Sequence, residues 1–84
     1  MTVLERLARL LERDFAIPAT SLDAEATLEG LDIDSLRLIE IVFAVEDEFS
    51  VTMPQDQGEI RERVKTLGDL AALIEGLPPR KAGG

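Results

Sequence analysis

Asp32, Asp34 and Ser35 are the residues whose types and spacing first suggest chemistry: two carboxylates one residue apart, then a hydroxyl. The one-three spacing of the acids is that of a calcium loop. Its fifth and sixth positions would then be Leu36 and Arg37, where an oxygen ligand and a glycine are needed. Paired-carboxylate catalysis has no support either, because nothing in the sequence puts one acid in a dry pocket that would raise its pKa. A nucleophilic Ser35 lacks a base. The chain has no His and no Cys, which removes Ser-His and Cys-His pairs, disulfides, and the ligands of zinc, copper or haem sites. Without Trp or Tyr an aromatic-lined substrate pocket is hard to build. A self-contained enzyme is disfavoured.

What distinguishes Ser35 is its position. It opens a predicted helix from Ser35 to Phe49, where free N–H groups and the positive end of the helix dipole favour an anion, so a phosphate ester on its hydroxyl would be well placed. A serine at such a place is more often a cap or a bystander, and Asp34 reads most simply as the N-cap.

At about 100° per residue, Leu38, Ile41, Val42, Val45 and Phe49 share the face that must meet the core. Leu36, Ile39 and Phe43 form a second apolar stripe bordered by Glu40, Glu46 and Asp47. Two readings stand: a helix buried on a broad front in a thin bundle, or a docking strip whose acids steer a basic partner while the apolar residues supply affinity.

The elements that must hold this helix are also legible. From Val3 to Phe15, apolar residues Leu4, Leu7, Leu11 and Phe15 recur at helical spacing, with Thr2 able to cap the start. Ile17-Pro18 ends that helix. A long polar loop from Ala19 to Asp34 follows, anchored by Leu22, Leu28, Leu31 and Ile33, with room for one short helical turn; its length signals function or a missed element. Ser50 to Glu59 reads as loop, and Ile60 to Val64 as a short third helix. Thr66-Leu67-Gly68-Asp69 is a capping box for a last helix, with Gly76 as a left-handed stop and Pro78-Pro79 beyond it. The expected architecture is all-α, a small bundle of three main helices plus one short one, with residues 1–77 as one domain and 78–84 as a flexible tail.

At 84 residues the chain supports one thin core. Nine Lys and Arg against seventeen Asp and Glu give a net charge of −8, which disfavours nucleic acid and anionic lipid. The acids are concentrated. Residues 23–59 hold eleven of them against Arg37 alone, a net −10, while the rest of the chain sums to +2. No segment has the roughly 18 consecutive apolar residues of a membrane span, and the first residues resemble neither a signal nor a transit peptide. A cytoplasmic monomer is the expectation.

Asp34-Ser35-Leu36 is similar to the attachment motif of acyl carrier proteins, and Leu31 to Pro54 (LDIDSLRLIEIVFAVEDEFSVTMP) resembles that family almost throughout. The amphipathic first helix, the acidic loop and the closing Thr66-Leu67-Gly68-Asp69-Leu70 helix follow in the same order, so the resemblance covers residues 2 to 76. It implies that Ser35 carries 4′-phosphopantetheine, joined as a phosphodiester by a phosphopantetheinyl transferase using coenzyme A. Asp34 would support that step. Acyl groups would ride as thioesters on the arm's thiol, which accounts for a functional chain without cysteine. The resemblance also implies that partner enzymes with basic surfaces dock on the second helix, through Leu36, Arg37, Ile39, Glu40, Phe43, Glu46 and Asp47, and that the helices enclose an apolar cavity for part of the acyl chain.

Two positions depart from the family's housekeeping members. Arg37 stands where an acid is usual, and Asp32 where glycine is usual. A reversed charge beside the attachment point weakens docking to a partner built for an acid by roughly 0.2–1 kcal/mol if exposed. The expectation is therefore a dedicated partner set in a specialised fatty-acid, polyketide or lipid-modification pathway. An aminoacyl or peptidyl carrier is a close variant, and an unmodified helical adaptor with the carrier fold is the alternative of a different class.

Overall fold

Thr2 sets the first helix in motion. Its hydroxyl accepts the Glu5 N–H at 3.1 Å while the Glu5 carboxylate accepts the Thr2 N–H at 3.1 Å, so each satisfies a donor the first turn leaves orphaned. The backbone bond from Thr2 is the main reason the Glu5 carboxyl sits below its ordinary pKa. In the computed structural model, which describes residues 1–79, α1 spans Val3–Phe15 and buries Leu7, Leu10 and Leu11. It stops at Ala16, whose left-handed backbone (φ 55°) turns its N–H back onto the Leu11 carbonyl.

The second helix, α2, spans Ser35–Phe49, with Leu38, Ile41, Val42 and Val45 buried and Phe49 half-buried. Asp34 caps it as expected, its Oδ1 accepting the Arg37 N–H at 2.8 Å. The third, α3, spans Gln57–Arg63 and begins three residues before the predicted start. The reason is Asp56, whose carboxylate accepts N–H groups from Gly58 at 2.9 Å and Glu59 at 3.2 Å. Val64 lies outside the helix in extended backbone. The fourth, α4, spans Leu67–Glu75 behind the expected Thr66/Asp69 capping box. Gly76 does not act as a left-handed stop: its φ is −93°, and its N–H closes the helix on the Leu73 and Ile74 carbonyls.

The packing is helix on helix, α1 lying against both α2 and α4. Three main helices and the short α3 make the all-α bundle that the periodicity predicts. Among the described residues the fully buried set is entirely apolar, and each such Leu or Ile contributes about 1.5–3 kcal/mol relative to exposure. Isolated bridges join Thr27 to Thr66 and Val51 to Pro79, without named strands.

The long connection from Ile17 to Asp34 earns its order in two ways. It contains one 3₁₀ turn, Ala19–Ser21, and buries Leu22, Leu28 and Ile33. It is also stitched to the junction between α3 and α4: Leu28 donates to the Lys65 carbonyl at 3.0 Å, Leu67 to Ala26 at 2.9 Å, and Gly68 to Ala24 at 2.9 Å. A Cβ on Gly68 would lie 3.0 Å from the Ala24 carbonyl oxygen, so that close approach selects glycine.

At the far end, Thr52 donates to the Pro78 carbonyl at 3.2 Å. Backbone pairing therefore reaches past residue 77, into the first two residues of the expected tail. Residues 80–84, its remainder, lie outside the described residues.

Candidate functional site

Ser35 is the first residue of α2 and its side chain is exposed. Asp34 ties off the N–H of Arg37, so the cap and the hydroxyl share one helix start without competing. The residue that meets the hydroxyl comes from elsewhere. Arg61, in the last turn of α3, donates from Nη1 to Ser35 Oγ at 2.8 Å. Lys65 then donates from Nζ to the Arg61 carbonyl at 2.9 Å, setting a second cation beside it.

Around this pair lie the acids Glu29, Asp32 and Asp34, which with Ile33 and Arg61 line a shallow cleft. Asp32 has a left-handed backbone (φ 59°). That explains why glycine suits the position in the resembled family and why Asp is tolerated, since it is among the few other residues that enter this region readily. On the other side of Arg61 a groove of about 300 Å³ is floored by Leu28, Ile33, Leu38 and Val64, with Lys65 on its rim.

The proposed docking residues do not all sit together. Leu36 and Phe43, seven residues apart and hence on one face, are 69% and 66% exposed. The broad-burial reading therefore fails for both. Glu40 and Asp47 are exposed on the same face, and Ile39 is half-buried at its edge. Glu46 is turned away. It is half-buried, with Oε2 accepting the Met53 N–H at 3.0 Å, and so holds the loop after α2. Arg37 points toward α1, its guanidinium carbon 6.0 Å from the centre of the Phe15 ring and its Nε 3.9 Å from Glu40 Oε1. That ion pair is exposed and contributes little stability.

These positions now have a family context. The chain matches the family model described as "Phosphopantetheine attachment site" over residues 5–74. It is 32% identical to the acyl carrier protein of Streptococcus pneumoniae serotype 4 over 89% of this chain and 95% of that one. It is 37% identical to that of Beutenbergia cavernae over 88% of each chain, and 37% identical to that of Saccharopolyspora erythraea over 95% of this chain and 82% of that one.

The chain belongs to the acyl carrier protein family. Acyl carrier proteins are non-catalytic, and the prosthetic group of this carrier is covalent 4′-phosphopantetheine. Its family implies dealings with a phosphopantetheinyl transferase and with acyl-handling enzymes. Among the described residues, no helix of the carrier is long and apolar enough to cross a membrane.

The residues around Ser35 fit such a group. An exposed hydroxyl is available for the ester, a guanidinium able to meet a phosphodiester already donates to that hydroxyl at 2.8 Å, and a groove with an apolar floor lies beside it. Reading the carrier's sequence missed Arg61. No spacing rule links it to a serine 26 residues away, and only the packing of α3 beside the start of α2 reveals the pair.

Proposed function

We propose that this protein is a cytoplasmic acyl carrier whose arm is attached at Ser35 and whose partners dock on the face of α2 formed by Leu36, Ile39, Glu40, Phe43 and Asp47. The observation that carries the reading is the exposed Ser35 hydroxyl at the start of α2, within the matched family region and hydrogen-bonded to Arg61. When attached, the arm supplies the thiol that holds acyl groups as thioesters.

The chain's own residues have simpler tasks. Ser35 provides the oxygen that forms the new P–O bond to the phosphopantetheinyl group as the pyrophosphate linkage of coenzyme A breaks, its proton passing to the transferase and adenosine 3′,5′-bisphosphate leaving. Asp34 fixes the helix start that aims Ser35 outward, and its carboxylate supports the transferase step. Leu36 and Phe43 offer apolar area for a partner, while Glu40 and Asp47 steer its basic surface.

Arg37 and Asp32 support a specialised fatty-acid, polyketide or lipid-modification pathway over bulk synthesis. A partner meeting this carrier encounters a guanidinium two residues from the attachment point, set against Glu40. Docking to an enzyme that expects an acid there is expected to be weaker, and Arg37→Glu should strengthen it.

The test is intact-protein mass spectrometry after incubation with coenzyme A, magnesium and phosphopantetheinyl transferases, broad-specificity and from the host. Wild type should gain one phosphopantetheine and Ser35→Ala none. No gain with any of these transferases would overturn the carrier reading and favour the adaptor with this fold.

A further inference from the structure

Arg61 is the one basic side chain hydrogen-bonded to Ser35 among the described residues, and its surroundings do not otherwise occupy it. No carboxylate lies within ion-pair distance of it among the described residues, whereas its neighbour in α3, Arg63, pairs with Glu59 at 3.3 Å. Its side chain is exposed, lines both the acidic cleft and the groove whose apolar floor is edged by Glu29, Glu62 and Lys65, and is joined at its carbonyl by Lys65. A phosphodiester on Ser35 would otherwise face Glu29, Asp32 and Asp34, all of the wrong sign.

From this we propose that Arg61 is a positioning residue for the prosthetic arm. It exchanges the Ser35 hydroxyl for a phosphodiester oxygen, clamps the root of the arm, and turns the arm toward α3, over the groove floored by Leu28, Ile33, Leu38 and Val64. The alternative direction is along the exposed strip of α2 toward Phe43. A single guanidinium decides between them because a charge-assisted bond of this kind is short and about twice as strong as a neutral one. Lys65 lines the same groove, but Glu29 and Glu62 do too, so the bias rests on the Arg61 contact at the root of the arm. The inference rests on attachment at Ser35.

The absence of cysteine makes the arm's thiol the sole target for a thiol-reactive nitroxide. Wild type, Arg61→Ala and Arg61→Lys are each loaded, checked by intact mass and spin-labelled on the arm. Paramagnetic broadening is then compared at the backbone amides of α3 and of residues 43–49 in α2. In wild type the broadening should concentrate on α3 and on residues 28–33. In Arg61→Ala the ratio of α3 to α2 broadening should fall roughly two- to five-fold, as expected for losing an exposed charge contact. Arg61→Lys should keep part of the bias, since it retains a charge without the guanidinium fork. An unchanged ratio in Arg61→Ala would overturn the inference while leaving the carrier reading intact. Failure of wild type to load would overturn both, and the mass spectrum separates the two failures. Arg61 is exposed, and unchanged amide shifts away from α3 will verify that its replacement leaves the fold alone.

Discussion

Asp34 has two roles that one substitution can separate. As N-cap it accepts the Arg37 N–H at 2.8 Å; as a charge beside Ser35 it can support the transferase. Asn caps about as well as Asp, whereas Ala forfeits about 1 kcal/mol. Asp34→Ala should therefore lower both Tm and loading rate, while Asp34→Asn should hold Tm and lower only loading. Equal loading by Asp34→Asn and wild type, in a time course read by mass, would confine Asp34 to capping. At this scale the sequence was informative wherever a residue acts on its neighbours: the caps at Thr2, Asp34 and Thr66 are local hydrogen bonds spanning three residues. It was silent where a contact crosses the fold. Arg61 reaches Ser35 from α3, and Glu46 leaves the docking face because Met53 presents an N–H that no periodicity announces.

Helix ends show the same division. The capping box of α4 was readable from Thr66 and Asp69, and it carries a pH signature. Backbone bonds from Lys65 and Thr66 hold the Asp69 carboxyl below its ordinary value of 3.8. A carboxyl depressed in the folded state stabilises it above the unfolded pKa, and that contribution is lost as pH falls through the folded pKa. The stability gap between wild type and Asp69→Asn should thus be full near about pH 6, begin to close as pH approaches 3.8 and vanish below the folded value; a gap independent of pH in chemical denaturation would contradict the cap's charge. The end of α1 at Phe15 was readable from Ile17-Pro18, but the conformation of the residue that makes the turn was not. A left-handed Ala16 violates the usual preference for glycine, imposed because Ile17 must be buried directly after the turn. Ala16→Gly should relieve about 1 kcal/mol, raising Tm by about 4–8 °C in a domain of this size. A fall in Tm would mean that the entropy glycine adds to the unfolded chain exceeds the relieved strain. For α3, a sequence reading that sees Pro54 and Gly58 as breakers misses that Asp56 can start a helix through Gly58.

Across the whole molecule the unresolved tension is charge. The net −10 carried by residues 23–59 already includes Arg37, and among the described residues it is partly answered by cations from outside the segment: Arg13 meets Glu48 at 3.1 Å and Arg63 meets Glu59 at 3.3 Å. Arg6 adds a bond to the Glu48 carbonyl and lies 4.4 Å from the centre of the Phe49 ring, so α1 supplies cations to the last turn of α2. Such exposed pairs contribute at most about 1 kcal/mol each, which leaves the acids of the loop from Ala19 to Asp34 repelling one another. That repulsion is the cost of a surface able to steer basic partners. Raising monovalent salt from about 10 mM to about 1 M shortens the Debye length from about 30 Å to about 3 Å, and Tm should rise by several degrees, where about 1 kcal/mol corresponds to about 4–8 °C. Salt can also strengthen apolar burial, so the decisive comparison is Glu25→Gln together with Glu29→Gln, two acids of the central segment outside the helices. If crowding is the cause, this variant should melt higher than wild type in low salt and respond less to added salt. An identical salt response in both would assign the rise to burial and contradict the charge map.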